Sequence, residues 1–167
     1  AGSAVVLAPS GDVLAAAGDP DAPMLPRSAN KPLQLAGMLR AGLSLPPPDL
    51  AVCASSHSGE PAQVRRVLDL LAGAGVPPTA LACPPALPLD ETAAAAVLRG
   101  GGGPERVTMN CSGKHTAMLL TCLAAGWPIE EYYRPDHPLQ KHLGAVLEEL
   151  VGEPLELVAD VGAQRRR

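Results

Sequence analysis

The sequence predicts a single domain that mixes α and β structure. Its 167 residues make one domain of average size, and 47 % of them are apolar against 18 % charged, which is typical of a globular chain. The first residues suit a β-hairpin, whereas most of the remainder has apolar residues at helical spacing. Because the chain has one Trp, two Tyr and no Phe, we expect a core of Leu, Val and Ala.

The N-terminal part predicts a hairpin followed by a helix. Two short apolar runs within residues 4–17 flank the turn sequence P-S-G-D. A loop then leads to a helix that opens at Ser28 and closes at Gly42. Residues 46–48 are read as a rigid proline connector, and residues 50–54 as a buried strand or helix. The apolar face of the first helix is expected to hold Leu33, Leu35, Met38 and Leu39.

Four further helices follow from periodicity and capping signals. We predict them over residues 60–73, from a cap at Asp90 through Arg99, over residues 112–125 with a stop at Gly126, and over residues 138–151. Residues 155–159 suit a strand. The inward positions are expected to be Val64, Val67, Leu68 and Leu71 in one helix, and Leu139, Leu143, Val146, Leu147 and Leu150 in the last.

Charge, hydropathy and cysteine usage exclude several classes of protein. The net charge of -4 argues against a nucleic-acid surface. No apolar run approaches the 18 or so residues of a membrane span, and because no basic segment with an apolar run opens the sequence, we expect no signal peptide. The four cysteines lack C-x-x-C spacing and secretory context, so we expect reduced thiols and a cytoplasmic location.

The first motif with chemical potential is R-S-A-N-K-P-L-Q at residues 27–34. Ser28 and Lys31 are three residues apart at a helix start and share a face. A lysine whose pKa is lowered can take the proton of a serine hydroxyl, as in the S-x-x-K pattern of serine acyl-enzymes. The alternative is an N-cap serine beside a solvated lysine.

Two more motifs contain scarce polar residues. S-S-H-S-G-E at residues 55–60 offers Ser56 or Ser58 as a hydroxyl partner and His57 as an orienting group, or is simply a capped turn. N-C-S-G-K-H at residues 110–115 places Cys111 at a helix start beside Lys114, which lowers a thiol pKa. With a lowered pKa, Cys111 could act as a metal ligand or as a nucleophile with His115. The alternative is a buried structural cysteine. His137 and His142 are read as surface or packing residues.

Taken in order, these three motifs resemble the rhizobial-type L-asparaginase family, also called asparaginase II. The resemblance extends from the hairpin to the helix after His137. It implies a mixed α/β (α+β) fold, namely the αβα sandwich with a helical part of serine β-lactamases and penicillin-binding proteins. It also implies an amidohydrolase that converts L-asparagine to L-aspartate and ammonia, with a small-molecule amide substrate and room for a homodimer.

The resemblance implies a role for each matching residue. Ser28 corresponds to the nucleophile, Lys31 to its base, and Ser56 to a second active-site serine that the family pairs with a later lysine. Arg27 and His57 are expected at the substrate. Cys111 and Lys114 correspond to two ligands of a zinc site beside the active site.

The sequence departs from the family pattern at three points. The family's Asp-Gly-Cys segment supplies the third zinc ligand, whereas here Asp160 is followed by Val161 and Gly162 with no cysteine. The later lysine is absent, and so is the short strand expected before Ala4. We therefore expect one partial domain over residues 1–167, with the C-terminal sheet part missing, an incomplete zinc site and an activity that stays open. The alternatives are a penicillin-interacting serine acyl-enzyme, although S-D-N and K-T-G are absent, and a non-catalytic fragment or binding domain.

Overall fold

The computed structural model describes residues 2–155. In this part of the chain, one antiparallel strand pair precedes six α-helices. Single 3-10 turns occupy Arg27–Asn30 and Pro78–Ala80. The elements are β1 Ala4–Leu7, β2 Val13–Ala17, α1 Lys31–Arg40, α2 Pro47–Ala54, α3 Pro61–Gly73, α4 Glu91–Arg99, α5 Ser112–Ala125 and α6 Pro138–Val151.

The hairpin predicted over residues 4–17 is confirmed. Ala4 pairs with Ala17, and the register shifts between Val6 and Leu7. Every residue of both strands is exposed. Since residues 2–155 hold only this two-stranded sheet, they confirm a mixed α and β composition, while the β-lactamase-like αβα sandwich stays a prediction.

Helix α5 lies at the centre of the core. Nine of its residues are buried, and it contacts α1, α2, α3 and α6. Gly113 in its first turn allows α2 to approach closely, because a Cβ there would lie 2.6 Å from the carbonyl oxygen of Val52. The core packed around α5 includes Met38, Cys53, Val67, Leu71, Tyr132 and Leu139.

Strong periodicity and capping signals located most helices correctly. Asp90 caps α4 by accepting a hydrogen bond of 2.7 Å from the amide of Ala93. Gly126 ends α5 with a φ of 68°, which glycine adopts at little cost. His137 caps α6 by accepting from the amide of Leu139, and His142 contacts the carbonyl of Gly37, so both histidines pack as predicted.

The structure corrects several details. Helix α1 begins at Lys31 rather than Ser28, because Pro32 has no amide proton and is best placed in a first turn. Residues 50–54 are helical, which is one of the two predicted alternatives, but their helix α2 begins at Pro47 inside the predicted rigid connector. Several predicted inward residues are exposed because the core meets only part of each apolar face, namely Leu33, Leu39, Leu68 and Leu150.

The strand expected over residues 155–159 falls outside the described residues apart from Leu155, which is not in a strand. Within residues 2–155, no helix combines the length and the apolar character needed to cross a membrane.

Candidate active site

Lys31 is a buried lysine at the first position of α1. The residue is only 3 % exposed. Its Nζ donates a hydrogen bond of 2.7 Å to the Oγ of Ser56 and another of 3.0 Å to the carbonyl oxygen of Ser55. Ser56 lies in the loop that follows α2 and is exposed. The packing of α1 against α2 therefore brings a buried amine to an accessible hydroxyl.

Burial lowers the pKa of the Lys31 ammonium below its ordinary value of 10.5. The charge of Lys114 lowers this pKa further, while a thiolate at Cys111 partly opposes the shift. A lysine with a lowered pKa holds its neutral form at a lower pH, and the neutral form is the one that accepts a proton.

Ser28 lies in the 3-10 turn that leads into α1. Side chains three residues apart in a 3-10 helix lie over one another, so Ser28 and Lys31 share a face. Ser28 is exposed, and among the described residues no hydrogen bond joins its hydroxyl to Lys31. Its neighbour Arg27 is also exposed and has a φ of 50°, a region that a residue with a side chain seldom adopts. The lysine thus contacts Ser56, the second serine, rather than the serine of the S-x-x-K motif.

His57 is buried and holds the Ser56 loop against the start of α5. Its Nδ1 accepts a hydrogen bond from the amide of Gly59, and its Nε2 lies 2.8 Å from the Oγ of Ser112, which itself donates to the carbonyl of Val107. These partners require a neutral ring with the proton on Nε2. Burial and, to a smaller extent, the charge of Lys31 lower the pKa of His57, which agrees with a neutral ring. The structure gives His57 a supporting position, and its role in substrate binding stays a prediction.

The residues after His57 form the capped turn that is one of the two predicted alternatives for this motif. Gly59 has a φ of 81°, and a Cβ there would lie 2.9 Å from Pro88. Glu60 and Gln63 form a capping box at the start of α3, and Gln63 also accepts from the amide of Gly59. Ser58 donates to Glu60 and Gln63 rather than to a catalytic group. Of the two candidate serines in this motif, only Ser56 meets Lys31.

A second cluster lies at the start of α5. One ligand atom from each of Cys83, Cys111 and His115 falls within 4.8 Å of the others. Hydrogen bonds from the Cys83 thiol and from His115, together with the charge of Lys114, lower the pKa of Cys111. The direction is the predicted one, but the largest cause is Cys83 rather than Lys114. The pKa of Cys83 is raised by the same contact with Cys111 and by burial. The set of two thiols and an imidazole has the chemistry of a zinc site, so these residues fit the metal that the resemblance implies.

Sequence reasoning missed two residues of this region. Cys83 comes from the loop before α4, and no spacing pattern connects it to Cys111. Tyr132 is buried, and its hydroxyl accepts from the amide of Ala82 and shares a hydrogen bond of 2.7 Å with Nδ1 of His115. The scarcity of aromatic residues was the one signal that could have drawn attention to it.

A buried lysine against one serine hydroxyl, with a second serine three residues before it, is typical of serine acyl-enzymes. A family model described as L-asparaginase II matches residues 1–161. The chain therefore belongs to the L-asparaginase II family, which makes it an asparaginase-type amidohydrolase at the level of the family. No curated protein matches it.

Proposed function

We propose that this protein hydrolyses the side-chain amide of L-asparagine through a serine–lysine site. The observation that carries the proposal is the hydrogen bond of 2.7 Å between the buried Lys31 amine and the Ser56 hydroxyl. Family membership supports an amide as the substrate. We add to this the more specific proposal that the amide is that of L-asparagine.

In this proposal Ser28 is the nucleophile and Lys31 is its base. Neutral Lys31 accepts the Ser28 hydroxyl proton while the Ser28 oxygen attacks the amide carbon. The carbon–nitrogen bond then breaks, and the nitrogen leaves as ammonia with the proton returned from Lys31. Water hydrolyses the resulting aspartyl ester, which releases L-aspartate and restores Ser28.

Ser56 is the hydroxyl that positions the base. Its contact holds the Lys31 nitrogen at 2.7 Å from the Ser56 oxygen, and its own exposure lets it approach a bound substrate. Proton transfer through a correctly placed group contributes about 10²–10⁴-fold to a rate. The shared face of Ser28 and Lys31 supports this division of roles.

The test is ammonia release from L-asparagine by the full chain with added zinc, measured beside Ser28→Ala. Hydroxylamine in the same assay converts an aspartyl ester to aspartyl hydroxamate, which reports the covalent intermediate. We expect ammonia and hydroxamate from the parent chain and neither from Ser28→Ala. Equal release by Ser28→Ala would remove Ser28 from the proposal, and no release by the parent chain would contradict the proposed function itself.

A further inference from the structure

The sulfur atoms of Cys83 and Cys111 and a ring nitrogen of His115 form a compact cluster at the start of α5. All three ligand atoms lie within 4.8 Å of one another. Four-coordinate zinc with bonds of about 2.3 Å to sulfur and about 2.0–2.1 Å to nitrogen places its ligand atoms roughly 3.5–3.8 Å apart. The cluster is therefore close to the size that a bound ion requires.

Two of the ligands are arranged by helix α5. Cys111 is the residue before the helix, and His115 follows it four positions later, so one turn brings both side chains to the same face. The amide of His115 donates to the carbonyl of Cys111, which fixes that turn. This part of the cluster is built by local helical geometry.

The third ligand is fixed by contacts of its own loop. The carbonyl of Cys83 accepts a hydrogen bond from the Arg106 guanidinium, and the Cys83 sulfur lies 3.4 Å from the Arg106 carbonyl. The Tyr132 hydroxyl contacts both the amide of Ala82 and Nδ1 of His115. One buried tyrosine thus ties the residue next to Cys83 to the ring of His115.

The contact with Tyr132 also selects the nitrogen that is left for a ligand. Metal-bound histidines use one ring nitrogen for the ion and give the other to a hydrogen-bond partner, which orients the ring. Here Nδ1 has its partner, so Nε2 is the atom available to an ion. The arrangement already contains the supporting contact that a metal-bound histidine has.

We propose that Cys83, Cys111 and His115 together bind a divalent zinc-class cation, with Lys114 or water in the fourth position. This ligand set differs from the one that the family resemblance implies, which uses Cys111 and Lys114 with a cysteine from a later segment. Two thiolates and an imidazole select borderline-soft ions over magnesium or calcium. The proposal does not depend on the proposed amide hydrolysis.

X-ray absorption spectroscopy of the zinc-loaded, full-length parent chain tests the ligand set without any variant. We expect two sulfur ligands at about 2.3 Å and the outer-shell scattering of one imidazole. One sulfur without imidazole scattering would overturn the proposal in favour of Cys111 with Lys114. Spectra with oxygen and nitrogen ligands alone, or failure to retain one zinc per chain after gel filtration, would also overturn it.

Substitutions give a second readout through cobalt. Co²⁺ bound to thiolates has charge-transfer absorption that scales with the number of sulfur ligands. Cys83→Ser should reduce this absorption by about half and weaken zinc binding by at least 10-fold, whereas Cys122→Ser, at a buried cysteine within α5, should change neither. Circular dichroism of each variant confirms folding. Full absorption and unchanged affinity in a folded Cys83→Ser chain would exclude Cys83 as a ligand.

Discussion

The Nζ of Lys31 donates a hydrogen bond of 2.7 Å to the Oγ of Ser56, which is 25 residues further along the chain. The lysine starts one helix, and the serine follows the next one, so the contact exists because α1 packs against α2. It holds a buried amine against an exposed hydroxyl.

The rate of amide hydrolysis should rise with pH as Lys31 loses its proton. Because burial lowers the pKa of Lys31 below 10.5, the rise should begin well below that value and level off above the lowered pKa. Two nearby charged groups act on this titration: Cys111 raises the pKa of Lys31, and Lys114 lowers it. The measurement is kcat/KM for ammonia release against pH.

Lys31→Arg is the control for this profile, because a guanidinium keeps its proton throughout the range. We expect the variant to lose both the rate and its dependence on pH. An unchanged rising limb in Lys31→Arg would assign the titration to another group.

Ser56→Ala should slow the reaction and move the rising limb to lower pH. The Ser56 oxygen accepts a hydrogen bond from the Lys31 ammonium, which favours the charged form, so its removal lowers the pKa of Lys31 further. The matched control is Ser58→Ala in the same loop, since Ser58 contacts Glu60 and Gln63. A limb that shifts equally in both variants would show that the loop, rather than the contact, governs the titration.

Tyr132→Phe should destabilise the protein by about 1–3 kcal/mol, because it leaves the partly buried amide of Ala82 without its partner. Tyr133→Phe changes a side chain that is 41 % exposed, and we expect it to stay within about 0.5 kcal/mol of the parent. Urea unfolding of the metal-free chains measures both. Equal stability of the two variants would contradict the prediction that the Tyr132 hydroxyl stabilises the fold.

Gly113→Ala should destabilise the packing of α2 on α5 by about 1–3 kcal/mol or more, because the added Cβ meets the Val52 carbonyl at 2.6 Å. Gly73→Ala is the matched control in α3, where a Cβ meets nothing within 4 Å. There we expect a gain of about 0.4–1 kcal/mol, since alanine has the better helix propensity. Thermal unfolding compares the two, and a stable Gly113→Ala chain would contradict the close approach.

Local sequence signals predicted where most helices begin and end. Which apolar side chains are buried depends on how the helices pack, and the sequence did not predict it fully. The cap at Asp90 and the stop at Gly126 could be read from the sequence because each acts within one turn of its own helix. The exposure of Leu33 and Leu68 could not be predicted from such local signals. Both have helical spacing, yet the neighbouring helices cover only part of each face and leave these residues exposed.

The same distinction applies to the candidate site. The spacing of Ser28 and Lys31 placed them on one face, and the N-C-S-G-K-H motif placed Cys111 at a helix start, because these are relations within a single turn. The contacts of Lys31 with Ser56 and of Cys83 with Cys111 and His115 join separate segments. No pattern in one sequence specifies such contacts, since they follow from how the helices and loops pack.

Ammonia release from L-asparagine by the parent chain, Lys31→Met and Lys141→Met tests the central claim most directly. Lys141 is an exposed lysine in α6, so its substitution removes the same charge far from the proposed chemistry along the chain. The account predicts release by the parent and by Lys141→Met, and a loss of about 10²–10⁴-fold in Lys31→Met. Equal release by Lys31→Met and the parent chain would contradict the claim that the buried lysine is the base.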